Sequence, residues 1–434
     1  MSARFPLYLG LRNLFGRRGR PSPHLLGCIL GIGLSLVPLV VVMEVADGMI
    51  EGITRRYLEV GTYHLQVRLG GEAAQQAYRD LAERIRSRPG VAEVVIERQG
   101  TGLLYTAHGR SAVTLRAVPP DLYSRDAGFR RYFTLTAGSF DLEGGEGILL
   151  GREVAQRLGA VPGQQVKLLG MARAGTHTLP RVRTFTVTGL FTTGYQELDK
   201  LWSYVSLEGG VSPASTVGYS EFIGVKVAKP FDDIEGQARR LQAALPAEAR
   251  VYSWYQLEKA NFKSFQTTKA LLLFIMAMIV AVAVVNISSA LVMVVLDKTQ
   301  EIGVMKAMGA RPSGISLAFL ITAILAGLAG VVIGLSLGLL LAVNVNELLQ
   351  GVERLVNWGY GGLRVLLRPF TDLGPAEPIH VFNREFYLEQ IPVRIQPVEL
   401  GVVGAAALLL SALAAVFPAR AAGRIRPMEV LRRV

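Results

Sequence analysis

The sequence predicts an α-helical membrane protein with four transmembrane helices and a large α+β extracytoplasmic domain inserted between helices 1 and 2. Three observations carry that reading. First, 50% of the 434 residues are apolar and only 18% are charged, too apolar for an ordinary soluble multidomain chain. Second, the apolar residues gather in four runs, 25–45, 269–296, 313–343 and 398–417. At ~1.5 Å per residue each run is long enough to cross a hydrocarbon core of roughly 30 Å. Third, the charge sits at the ends of these runs. Residues 1–24, 297–312 and 418–434 together hold ten of the twelve net positive charges. With four spans these segments fall on one side of the membrane, and an excess of Lys and Arg marks that side as cytoplasmic. The same placement excludes nucleic-acid binding, which expects a basic stripe on a folded domain.

The basic segment 1–24 carries Arg4, Arg12, Arg17, Arg18 and Arg20 with no acid, and the first span follows it as an uncleaved anchor. Cys28 is the one cysteine, so no intrachain disulfide forms. "LLGC" (25–28) is not a lipoprotein cleavage box, because the apolar stretch follows the cysteine rather than preceding it. Pro38 removes a backbone donor and is expected to kink the span. Beyond it, Met49, Ile53 and Tyr57 recur at helical spacing in 46–60, which predicts a stalk continuous with the membrane helix.

Residues 46–268 form the extracytoplasmic domain. "HLQVRL" (64–69), a polar helical stretch (72–88) and "VAEVVIE" (91–97) make one βαβ-like unit. "FIGVKVAK" (222–229), a helical stretch (232–245) and "ARVYSWY" (249–255) make another. The two are expected to share one sheet layered with helices, with a β-rich insert at about 100–220 between them. Within the insert, 101–118 reads as two strands around a turn at His108-Gly109. Residues 147–170 read as strand, short helix, Pro-Gly turn and strand, and 181–191 as a half-exposed strand. "GMARAGTHTLPR" (170–181) reads as a long hairpin tip standing off the body.

In the second span, Asn286, Ser288 and Ser289 suit hydrogen bonds between helices. Residues 297–312, "DKTQEIGVMKAMGARP", form a short cytoplasmic helix, with Asp297 and Thr299 available to start it and Gly309 and Pro312 to stop it. At helical spacing Ile302, Met305 and Gly309 share one side, flanked by Lys298 and Lys306. Two readings stand: a charged-rimmed apolar face for a soluble partner, or a connector resting on the membrane. In the third span Gly330, Gly334 and Gly338 lie four apart, and Gly27, Gly31 and Ser35 repeat the pattern in the first. Such stripes let backbones approach, either within the chain or between subunits. A second extracytoplasmic loop, 344–397, precedes the fourth span, and 418–434 is the cytoplasmic C-terminus.

No catalytic constellation emerges. The chain lacks the G-x-x-x-x-G-K-[ST] phosphate loop, and its five histidines are scattered outside any zinc pattern. "GLSLG" (334–338) matches G-x-S-x-G but lies in an apolar run rather than on a strand–turn–helix elbow.

The passage "NISSALVMVVLDKTQEIGVMKAMGARPSGI" (286–315) resembles the most recognisable segment of the FtsX/MacB-type ABC-transporter permeases, in particular their LolC/LolE lipoprotein-releasing branch. "VADGMIEGI" (45–53) with "HLQV" (64–67), "GILLGREVAQRLG" (147–159), "FTVTGLFTTGYQELD" (185–199) and "YLEQIPVRI" (387–395) are similar to that branch. So is "FPARAAGRIRPMEVLRRV" (417–434), whose final "RRV" departs from the commoner Arg-Tyr-Glu ending.

The resemblance implies a multi-pass permease of the bacterial inner membrane, both termini cytoplasmic, paired with a second copy or a paralogue and with a separate ABC ATPase subunit. The family's coupling helix falls on 297–310, where Lys298, Glu301, Ile302, Met305, Lys306 and Gly309 would meet the ATPase. The branch's carrier-binding hairpin falls on 170–183, with Gly170, His177, Pro180, Arg181 and Arg183 as its candidates. The implied function is extraction of lipoprotein cargo from membrane lipid and its transfer to a periplasmic lipoprotein carrier. The chain itself would be non-catalytic and bind no cofactor, ATP and Mg being used by the partner. Two alternatives are an FtsX-like scaffold activating a cell-wall hydrolase and a stand-alone MacB-like efflux permease.

Overall fold

The computed structural model describes residues 4–14, 23–70, 75–174, 177–208, 219–367 and 392–425. The chain divides into two units, one built on Met1–Met49, Phe265–Ile379 and Pro392–Val434, the other on Ile50–Ser264. The basic N-terminal segment contains a helix the sequence reading did not assign, α1 (Arg4–Leu14). The next helix, α2 (Pro23–Tyr57), is continuous through Pro38 and through most of the stretch assigned to a stalk. One π-helical turn, Leu58–Thr62, follows and stops at Tyr63, whose φ is +58°.

The Ile50–Ser264 unit contains strands β1 (Leu65–Leu69) and β2 (Val91–Tyr105) around helix α3 (Gln75–Arg86). Then come β3 (Arg110–Val118), α4 (Leu122–Arg125), α5 (Ala127–Tyr132), β4 (Thr134–Gly138), β5 (Gly147–Gly151) and α6 (Arg152–Leu158). The unit continues through β6 (Gln165–Ala174), β7 (His177–Thr192), α7 (Gln196–Asp199) and β8 (Trp202–Ser206). It ends with β9 (Ser220–Val227), α8 (Ile234–Ala243), β10 (Ala249–Ser253) and α9 (Trp254–Leu257).

The two βαβ-like units interleave. The strand order is β10-β1-β9-β2 with every neighbour antiparallel. Each unit is therefore a split βαβ whose two strands are not adjacent, the ferredoxin-like arrangement. Tyr78, Leu81 and Ile85 of α3 and Ala238 and Leu241 of α8 pack in one core with Val67, Val94 and Val225 of the strands. The insert is a closed barrel. β2 pairs β3, β3 pairs β8, β8 pairs β5, β5 pairs β7, β7 pairs β6, and β6 returns to β2. Leu104, Leu115, Leu150, Val166, Phe185 and Val205 pack together in its core. Where the sequence reading had two strands, 91–97 and the first half of 101–118, the structure has the single strand β2. Its Val91–Gln99 part pairs with β9 and its later part with β3 and β6, so one strand serves both sheets.

The membrane unit continues with α10 (Lys259–Asp297), α11 (Thr299–Ala307), α12 (Pro312–Val343), α13 (Val345–Leu367) and α14 (Pro397–Arg424). Among the described residues four helices, α2, α10, α12 and α14, are long and apolar enough to cross a membrane. The segment read as a loop after the third span begins with α13, a 23-residue helix. The glycine stripe of α12 packs within the chain. A Cβ at Gly330 would meet Ile32, at Gly334 the Gly33 carbonyl oxygen at 2.8 Å, and at Gly338 Val40. These three positions bring α12 against α2 closer than any side chain allows. In α2 the mating glycine is Gly33, whereas Gly27 and Gly31 face open space. α12 also lies against α14 where Gly327 meets Ser411, and against α1 where Thr322 Oγ1 donates to the Gly10 carbonyl oxygen at 3.1 Å. Lys269 of α10 pairs with Asp47 of α2 and, at 3.8 Å, with Glu399 of α14. The middle of α10 leaves Leu271, Phe274, Ile275 and Met278 exposed.

Candidate functional site

α11 is nine residues long, set off from α10 at Lys298 and stopped at Gly309. No side chain caps its start: Thr299 Oγ1 instead donates backward to the carbonyl oxygens of Leu296 and Val295, at 2.7 and 3.1 Å. Asp297 does not cap it either and lies 3.4 Å from His24 Nε2. The end is a glycine stop. Gly309 has φ +91°, its N–H returns to the Lys306 oxygen, and the Ala310 N–H returns to the Met305 oxygen, the pairing that closes a helix on a left-handed residue. Pro312 then opens α12 at a position that needs no amide donor.

The side of α11 expected to be offered to a partner faces inward instead. Ile302 is 0% exposed and packs with Leu25, Val295, Ile315, Phe319, Ala419 and Ala422, with Met305 beside it. Lys306 Nζ donates to the carbonyl oxygens of Gly423 and Ile425. The reason is physical. Ile302 and Met305 are the apolar side chains within reach of the bundle, and burying them outweighs presenting them to water. Gly309 belongs to the stop, and Lys298 pairs with Glu301 at 2.8 Å along the helix. The exposed face of α11 and the turn after it carries Gln300, Glu301, Val304, Ala307 and Met308. Val304 is 48% exposed and Met308 76%. Neither is among the residues expected from the sequence to meet a partner. Apolar residues occur on both sides of so short a helix, and only the packing partners tell which side is spare.

The second candidate is the β6–β7 ribbon. The strands stay in register to its outer end, with Leu169 opposite Val182, Gly170 opposite Arg181, Met171 opposite Pro180 and Ala174 opposite His177. The turn residues 175–176 lie outside the described residues. Opposed residues share a face and the faces alternate. Leu169, Met171, Pro180 and Val182 therefore form an apolar face, and Gly170, Arg181 and Arg183 lie on the other. Met171, Leu179 and Val182 are each about half exposed, so this part of the ribbon stands clear of the barrel core. Arg183 lies over the Phe185 ring at 5.2 Å and reaches the Gly145 oxygen at 3.4 Å.

A third feature, which no pattern in the sequence announced, fixes the end of α2 in its unit. Arg116 on β3 and Glu97 on β2 form a fully buried two-pronged ion pair, Nε–Oε1 2.7 Å and Nη2–Oε2 2.8 Å. Arg116 Nη2 also donates to the Gly61 oxygen at 2.6 Å, and Tyr204 donates its hydroxyl to the Val60 oxygen at 3.0 Å. Both acceptors belong to the π turn. Tyr63 completes the group with a 2.7 Å hydrogen bond to Glu97. Burial pushes the Tyr63 hydroxyl far above its ordinary value, and the Glu97 charge pushes it further, so it remains a donor. The guanidinium also lies 4.1 Å from the centre of the Trp202 ring. Together these contacts hold the π turn against β2, β3 and β8.

Nothing in the described residues gathers three or more His, Cys, Asp or Glu into a metal site. The "GLSLG" sequence is regular helix within α12, without the elbow a hydrolase needs. Exposed apolar side chains occur on α11, at Val304 and Met308, and on the β6–β7 ribbon, at Met171, Leu179 and Val182.

Comparison with known proteins agrees with this anatomy. The MacB-like periplasmic core domain model matches residues 25–244, and the FtsX-like permease C-terminal model matches residues 273–427. The chain is 28% identical over 432 residues to the lipoprotein-releasing system transmembrane protein LolC of Xylella fastidiosa strain 9a5c, covering 98% of each chain. It is 26% identical over 443 residues to the protein of that name from Neisseria meningitidis serogroup B, again covering 98% of each. To the lipoprotein-releasing system transmembrane protein LolE of Haemophilus influenzae it is 23% identical over 440 residues, covering 98% of this chain and 99% of that one. With the core-domain model matched over half its length, the chain belongs to the family of MacB-like periplasmic core domain proteins and carries the FtsX-like permease region after it.

Proposed function

We propose that this chain is the permease subunit of an ABC transporter that removes lipoproteins from the inner membrane and passes them to a soluble periplasmic carrier. The observation that carries this reading is the end-to-end similarity to relatives named as lipoprotein-releasing, which spans 98% of this chain and of LolC from X. fastidiosa. In this reading the ends of the membrane helices bearing 1–24, 297–312 and 418–434 face the cytoplasm, and the Ile50–Ser264 unit is periplasmic. ATP and Mg bind a separate ATPase, which engages the Val304–Met308 face of α11. A second copy or a paralogue pairs with the membrane helices, and the β6–β7 ribbon meets the carrier. The chain transmits motion and makes or breaks no bond.

The test is affinity purification from native membrane after mild crosslinking, with the co-purifying proteins identified by mass spectrometry. An ABC ATPase and an acylated lipoprotein are the expected companions. Recovery of a cell-wall hydrolase in place of the lipoprotein, or a chain that hydrolyses ATP unaided, overturns the proposal.

A further inference from the structure

The helix α13 is amphipathic with its faces reversed relative to a helix packed on a soluble core. Going round it at ~3.6 residues per turn, three sectors follow one another. Asn346, Glu353, Asn357 and Tyr360 form the first. They are half-buried, and each takes part in a polar, charge or ring interaction. Glu347, Gln350 and Arg354 form the second and are exposed. The third is apolar and also exposed: Leu348 43%, Val352 45%, Leu355 67% and Val356 38%. Trp358, 80% exposed, lies on the seam between the charged sector and the apolar one. A helix in water turns its apolar side inward. This one turns polar groups inward and aliphatic groups outward.

Its position explains the reversal. α12 is a membrane span of 32 residues without a charge, about 48 Å long at ~1.5 Å per residue. That is enough to traverse the hydrocarbon core and reach the headgroup layer. Asn344 is the only residue between α12 and α13, its N–H returning to the Leu340 oxygen and its own oxygen accepting from Leu348. The apolar sector of α13 therefore begins within two turns of the end of a helix longer than the hydrocarbon core is thick.

We propose that α13 is an interfacial helix, its Leu348–Val352–Leu355–Val356 sector sunk into the lipid surface and Trp358 held at the headgroup boundary. The three-sector pattern favours lipid over a second copy of the chain. An apolar stripe meant for another protein has a polar rim on each exposed border. Here one border is the chain itself and the other is a charged sector marked by a tryptophan, the arrangement of a helix lying at a membrane surface. Such a helix would tie the outer end of α12 to the depth of the lipid layer.

The test uses the full chain in proteoliposomes of phosphatidylethanolamine and phosphatidylglycerol, with and without phosphatidylcholine brominated near the top of its acyl chains. Bromine quenches nearby tryptophan. The wild type is expected to lose emission in brominated vesicles, and Trp358→Phe to lose the part of that quenching due to Trp358, while Trp202 and Trp254 contribute equally to both proteins. Leu355→Cys in a Cys28→Ser background supplies the second reading. Equal quenching in wild type and Trp358→Phe, with a disulfide forming between two copies through the Leu355→Cys position, overturns the proposal and makes the face a subunit interface. Equal quenching with no disulfide also overturns it, leaving the face to water or another protein.

Discussion

Lys306 Nζ donates to the Gly423 carbonyl oxygen at 2.8 Å, and to that of Ile425 at 2.6 Å. The last carbonyls of a helix have no intrahelical partners and carry the negative end of its dipole. The ammonium of α11 thus closes the end of α14 and ties the two elements together. Replacing Lys306 with Met keeps the stem and removes the donor. The expected cost to stability is about 1 kcal/mol, below the roughly 1.5–3 kcal/mol of a hydrogen bond to a charged group, because Lys306 is half-buried and partly screened. The larger effect falls on coupling. The ATPase should still co-purify, since Val304 and Met308 are untouched, while lipoprotein release per ATP hydrolysed falls. Unchanged release would remove any role for this tie.

Met308→Glu and Ile302→Ala should separate the two sides of α11. Met308 is 76% exposed, so a charge there changes stability by no more than about 0.5 kcal/mol. It should nevertheless abolish ATPase binding if that face is the contact. Ile302 is fully buried, and truncating it should cost about 2–5 kcal/mol through the cavity left behind. Thermal unfolding in detergent and co-purification of the ATPase read the two effects separately. Normal ATPase binding by Met308→Glu moves the contact elsewhere.

Hydropathy and local propensity made most of the architecture legible. A run of uncharged residues such as 313–343 is long and apolar enough to be a span, and Gly309 before Pro312 signals the stop of a helix. What stayed hidden depends on partners distant in sequence. β2 looked like two strands because Gly100 and Gly102 interrupt its alternation. A Cβ at Gly102 would come within 2.6 Å of the tip of the Leu168 side chain on β6, where the barrel closes, and Leu168 would have to shift. The inward turn of Ile302 depends on residues 25, 315 and 419. The Arg116–Glu97 pair joins neighbouring strands, but nothing in "VTLRAV" says that its arginine is buried. The glycine stripe of α12 announced a close approach without saying to what, and Ile32, Gly33 and Val40 supply the answer.

The Arg116–Glu97 pair should be costly to break and cheap to replace. Both side chains are 0% exposed, so Arg116→Met strands a buried carboxylate and should destabilise the core domain by roughly 3–5 kcal/mol. Changing both residues to apolar ones of similar volume should recover much of that stability. Even then the π turn at Leu58–Thr62 loses the donor to the Gly61 oxygen. Unfolding midpoints of the single and double variants, with protease accessibility at residues 58–63, check this. A double variant as unstable as Arg116→Met would mean that the Gly61 and Trp202 interactions outweigh the ion pair.

Asp199 gives a pH dependence of known sign. It is 4% exposed and accepts from Thr192 Oγ1 at 2.6 Å and from the Thr193 N–H and Oγ1, each at 2.8 Å. Burial still pushes its carboxyl above the ordinary value of 3.8, outweighing those bonds and the Arg152 charge. The folded state therefore holds this proton more tightly than the unfolded one. The stabilisation is complete below the unfolded value and is lost as pH rises through the raised folded value. Asp199→Asn cannot titrate. The stability of the wild type relative to Asp199→Asn should therefore fall as pH climbs from about 4 and level off once the folded carboxyl has ionised. Thermal unfolding of the two proteins in the same detergent over that range measures the difference. A gap that widens in favour of the wild type with rising pH would mean that the threonine bonds outweigh burial and that the carboxyl is ionised throughout.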